Sequence, residues 1–134
     1  MQVLYQSKKS PEFIFDYLSD MQKFTSVHPV ISQIDHRSKN NYLVHETLRV
    51  AGIPISFTYP VTIDAVPLEN KVIMKATVMR FTKIEMIFTI KSNNGLTIVE
   101  EQVSFKSPFP VKSILEKIFK KQHQQLFKNI EMVK

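Results

Sequence analysis

Ile53-Pro54-Ile55-Ser56-Phe57-Thr58-Tyr59-Pro60-Val61-Thr62-Ile63-Asp64-Ala65 is the stretch that decides the fold. Its odd-numbered positions are apolar and its even-numbered ones are small, polar or proline. Successive side chains of a strand point to opposite faces, so this alternation predicts a β-strand with one buried face and one wet face. A sheet wetted on one side is characteristically antiparallel. Pro54 and Pro60 have no N–H to donate, which predicts bends or an unpaired stretch within the strand.

The period of two holds on both sides of this stretch. Upstream, residues 30–37 and 42–50 read as strands, separated by Lys39-Asn40-Asn41 and followed by a turn at Ala51-Gly52. Downstream, Leu68-Glu69-Asn70 turns the chain into residues 71–80, and a tight reversal near Phe81-Thr82 leads to 82–92. There Ile84, Met86, Phe88 and Ile90 share a face. Asn93-Asn94-Gly95 is a hairpin signal, because Asn and Gly tolerate positive φ, and it leads to a last strand over 96–107. With a short opening strand at 2–6, seven strands are expected.

Helices flank the strands. Ser10-Pro11-Glu12 supplies a cap, a first-turn proline and a charge suited to the helix dipole. Phe13, Ile14, Tyr17, Leu18 and Met21 then recur at helical spacing. Ser19-Asp20 offers a second cap for a short helix to about Phe24, and His28-Pro29 ends it. After the stiff Ser107-Pro108-Phe109-Pro110, residues 111–133 form one helix of about 34 Å. The expected fold class is α+β: one domain over residues 1–134, with an antiparallel sheet around a long C-terminal helix.

Composition narrows the function classes. Zero cysteines exclude disulfides, thiol catalysis and thiolate metal sites, which fits a cytoplasmic location. No apolar run reaches the roughly 20 residues of a transmembrane segment. Met1 to Tyr5 has no basic leader, so no signal peptide is expected. The net charge of +6 comes from Lys spread along the chain, with Arg only at Arg37, Arg49 and Arg80. That distribution argues for a solvated basic surface over a nucleic-acid groove, and leaves an acidic partner open.

Polar residues that break the apolar pattern are the candidates for a site. Tyr42, Val44, Leu48 and Val50 share a face with Glu46, and Val99, Val103 and Phe105 share one with Glu101. Arg80 continues the face of Val72, Met74, Ala76 and Val78, and could pair with either carboxylate. On the long helix, Val111, Leu115, Ile118, Phe119, Leu126, Ile130 and Val133 fall on one side, with Gln122 near its centre and Phe127 off the stripe. Buried polar groups need partners: a side chain, a water or a ligand. The four histidines, His28, His36, His45 and His123, show no metal-binding spacing, and each reads as structural or exposed. Two glycines cannot build a phosphate-cradling loop, and no GxSxG occurs. No metal or cofactor is expected.

The order of elements resembles the START-like, or helix-grip (SRPBCC), superfamily. The resemblance rests on Ser10-Pro11-Glu12-Phe13-Ile14-Phe15-Asp16-Tyr17-Leu18 directly after strand one, on His28-Pro29-Val30 leading into strand two, and on the six-strand meander closed by a long helix. It covers Val3 to Val133 and is nearest to the small polyketide cyclase/dehydrase-like proteins. It implies a curved seven-stranded sheet gripping the helix, with a small apolar ligand (lipid, quinone or polyketide-like) between them. The implied lining is Phe57, Tyr59, Met74, Met86, Phe88, Phe105, Ile118 and Gln122, with Glu46, Arg80 and Glu101 as polar members. The expected function is binding or carriage of that ligand. Two alternatives stand beside it. One is a cyclase or dehydratase using Glu46, Glu101, Arg80 or His45. The other is a basic module that binds an acidic partner, RNA or a membrane through Lys112, Lys117, Lys120, Lys121 and Lys128.

Overall fold

A computed structural model describes residues 1–134. After strand β1 (Gln2–Ser7), Ser10 accepts the Phe13 N–H at 3.1 Å and opens α1 (Pro11–Ser19). Asp20 ends that helix and caps the next, its carboxylate accepting from Gln22 and Lys23 at the start of α2 (Met21–Val27). The strands β2 (Ile31–Ser38), β3 (Asn41–Val50), β4 (Ile53–Val66), β5 (Lys71–Val78), β6 (Thr82–Asn93) and β7 (Leu96–Lys106) follow, and α3 (Lys112–Met132) closes the chain. A single 3-10 turn, Pro67–Glu69, joins β4 to β5.

All seven strands form one antiparallel sheet in the order β1-β7-β6-β5-β4-β3-β2. Two of its hairpins turn on two residues with positive φ, Ala51-Gly52 and Asn94-Gly95, matching the right-handed twist of their strands. β4 pairs with β3 from Ile53 to Thr62 but with β5 only from Val61 onward. Residues 53–60 are therefore bonded on one side, and both prolines sit there, where a missing N–H is tolerated.

Between β5 and β6 the expected alternation breaks down. β5 stops at Val78, and Met79 and Arg80 both take left-handed backbone angles, φ 52° and 67°. Arg80 does not continue the buried face of Val72, Met74 and Ala76. It stands exposed in the turn, because a period of two carries no information past the end of its strand.

The apolar core lies between the inner sheet face, α1, α2 and the C-terminal half of α3. Ile14, Leu18, Val72, Phe88, Val99 and Leu126 have no solvent exposure. The buried residues of α3 are His123, Leu126, Phe127 and Ile130, all in its second half. Phe127 is therefore core and not surface: it stacks on Tyr5 of β1 with ring centroids 4.1 Å apart. Asn129 adds a tether, donating to the carbonyl of Val27 at 2.8 Å. No helix is long and apolar enough to cross a membrane.

Candidate functional site

The first half of α3 does not pack down onto the sheet. Val111, Ile114, Leu115, Ile118 and Phe119 instead roof a cavity of about 550 Å³, walled by β2 to β6 and also lined by Met21, Phe24 and His28. Of its 28 lining residues 23 are hydrophobic, and the polar five are His28, Glu46, Thr58, Gln122 and His123. The space is only partly enclosed, so its apolar walls are accessible from solvent.

Glu46 and Tyr59 are diagonal neighbours on the β3–β4 ladder, where Glu46 pairs with Phe57 and Tyr59 with Val44, and the Tyr59 hydroxyl donates to Glu46 Oε1 at 2.7 Å. Burial pushes the Glu46 carboxyl above its ordinary pKa, opposed by the Tyr59 hydrogen bond and by the nearby His123. Burial and the adjacent carboxylate together hold the Tyr59 phenol far above its usual value. A second cluster lies beneath α3. Glu101, with no solvent exposure, bonds Nδ1 of His123 through Oε2 and accepts the Tyr5 hydroxyl through Oε1 at 3.2 Å. The Tyr5 phenol is likewise raised, first by burial and then by Glu101. His28, at the end of α2, is held neutral by burial and by His123, its pKa pushed down to about 3. No group of three or more potential metal ligands comes together.

No family model and no curated protein matches this sequence. Solved structures do match its shape. Ara h 8.0201 superposes over 98% of this chain and 93% of its own, with a TM-score of 0.76 at 17% identity. A START superfamily protein from Mycobacterium smegmatis matches over 98% and 93%, with a TM-score of 0.72 at 20% identity. The Zhui aromatase/cyclase from Streptomyces sp. R1128 matches over 98% and 90%, with a TM-score of 0.67 at 9% identity. The fold is the START-like helix grip.

Within this helix grip, the sequence-derived site residues fall into three groups. Glu46, Phe57, Tyr59, Met74, Met86, Ile118 and Gln122 line the cavity. Phe88, Glu101 and Phe105 do not. Glu101 pairs with Phe88 on one rung of the sheet, directly under the packed half of α3, and both are sealed there. Phe105 is screened by Phe119, which packs edge-on against it at 5.5 Å. Arg80 forms the third group: exposed in its turn, it reaches neither carboxylate, and their partners are Tyr59, Tyr5 and His123. His45 points away from its neighbour Glu46 and bonds Asp35 at 2.8 Å.

The sequence reading missed His123. It is 2% exposed, touches the cavity and is hydrogen-bonded to the buried Glu101 carboxyl. The signal was present in the series Phe119, His123, Leu126, Phe127 and Ile130, whose steps of three and four residues place the histidine mid-stripe. One average face drawn through all of α3 put Gln122 there instead.

Proposed function

We propose that residues 1–134 are a single ligand-binding domain that binds or carries a small hydrophobic molecule, of lipid, quinone or polyketide-like character, between the sheet and α3. The observation that carries this reading is the 550 Å³ cavity with 23 apolar residues among the 28 that line it. Such walls reward burial of apolar surface at about 25 cal/mol per Å² and offer water few partners. Ala76 is central to the space. It is the one alanine in the lining, on the rung where Val61 and Ile84 flank it, and its small side chain leaves room that a larger one would take.

Fluorescence titration with pyrene, a rigid apolar probe, tests this reading. We expect saturable binding of one probe per chain, weakened at least about tenfold in Ala76→Phe, whose ring occupies cavity volume. Circular dichroism of the variant checks that it remains folded. Absence of saturable uptake by the unaltered protein would contradict the proposal.

A further inference from the structure

The exposed apolar side chains of this protein gather at one end. Of eleven large ones that stand in solvent, seven lie where β3 meets β4, where β5 meets β6 and where β7 leads into α3. Val50, Ile53 and Ile55 form the tip of the first hairpin, and Met79 and Phe81 flank Arg80 in the second turn. Phe109, in the connector, meets the Phe81 ring edge-on at 6.4 Å, and Ile114 follows in the first turn of α3. Turns are ordinarily polar. Those at the opposite end of the sheet are built on Lys39-Asn40, Glu69-Asn70 and Asn93-Asn94-Gly95, with Leu68 and Leu96 as their exposed apolar members.

This end is also where the cavity opens. Val50, Ile55, Met79 and Ile114 line the cavity, yet each is between 47% and 64% exposed. Side chains that face both the cavity and solvent mark its mouth. Basic residues surround it. The three segments that form it, residues 47–57, 77–83 and 105–117, carry Arg49, Arg80, Lys83, Lys106, Lys112 and Lys117, all exposed. Of the chain's twelve acidic residues these segments hold one, Glu116, and Lys112 lies 3.9 Å from it.

We infer that this end docks on the surface of a bilayer containing anionic phospholipids. Its apolar tips enter the boundary between headgroups and acyl chains, and its basic side chains meet the phosphates. An apolar patch alone would suit a second copy of the chain, but two such ends would press clusters of like charge together. A folded acidic protein answers the charge, yet it must also match tips that project from three separate segments. Lipid chains deform around them. The position of the mouth favours the same occupant: seated this way, the cavity opens onto the acyl phase, and an apolar ligand enters or leaves without crossing water. The docking rests on the surface alone, and only its use in ligand exchange rests on the cavity reading above.

Co-sedimentation of the intact chain with vesicles tests this, using phosphatidylcholine alone and equal parts of phosphatidylcholine and phosphatidylserine. We expect at least about tenfold stronger partition into the anionic vesicles, weakening as salt is raised. Phe81→Ser with Phe109→Ser removes two tips that do not line the cavity, and Arg80→Glu with Lys112→Glu reverses two charges beside them. Each pair should lower binding to the anionic vesicles at least about tenfold, with pyrene uptake in solution unchanged. No vesicle binding by the unaltered chain would overturn the docking, and would leave the cavity standing if pyrene is still taken up. Vesicle binding without pyrene uptake would uphold the docking and contradict the cavity reading. Binding lost on charge reversal but unchanged without the two phenylalanines would be attraction to a basic surface alone, and would overturn the proposal. Phenylalanine-dependent dimers without vesicle binding would overturn it in favour of a second copy.

Discussion

Glu101 is a carboxylate sealed between β7 and α3, tolerated because Tyr5 and His123 satisfy both of its oxygens. His28 has the complementary problem. Buried and neutral, it holds a pKa of about 3 against an ordinary value of 6.5. Between those two values the unfolded chain binds a proton that the folded chain refuses, so folding stability falls as pH drops through this window. Above about pH 6.5 both states are neutral and the effect is absent. We expect denaturant unfolding from neutral pH to about pH 4 to show a loss of a few kcal/mol that His28→Gln removes in large part. Identical pH slopes for the two proteins would contradict this account of the site. At this scale the sequence was half legible. Strand alternation placed Glu46 and Glu101 on apolar faces correctly, because the period is local. Their partners were not legible: Tyr5 and Tyr59 come from neighbouring strands and His123 from a helix, and register between elements is a tertiary property.

The strands were legible as elements because their apolar faces repeat every two residues and their turns carry Asn, Gly or Pro. α3 was legible in extent but not in orientation. Its first half contributes no buried residue and roofs the cavity, while its second half contributes four. The apolar stripe shifts between the halves, so a single averaged face kept Gln122 on the cavity side but missed His123 and Phe127. Segments with few buried contacts open at lower free energy than the core they adjoin. We therefore expect amide hydrogen exchange over residues 112–121 to be faster than over 123–132, and to slow when pyrene is bound. Uniform protection along α3, unaffected by the probe, would show that the helix is clamped along its whole length and that the roof plays no part in binding.

At the scale of the whole molecule, two surfaces compete for a functional role: the cavity and the basic exterior. Lys112, Lys117, Lys120, Lys121 and Lys128 are all exposed on α3, and none lines the cavity. Attraction through such lysines weakens as salt shortens the Debye length to about 8 Å at physiological strength, whereas burial of apolar surface does not depend on that screening. The helix-grip topology was legible from element order alone. The cavity was not, since the same apolar residues could have met in a solid core, and only the tilt of one helix half off the sheet separates the two outcomes. The central claim is that this space holds an apolar molecule. Native mass spectrometry of the gently purified chain, followed by organic extraction, tests it most directly. The account predicts one small apolar adduct per chain. Bare protein that also takes up no member of a lipid, quinone and polyketide-like panel would contradict it.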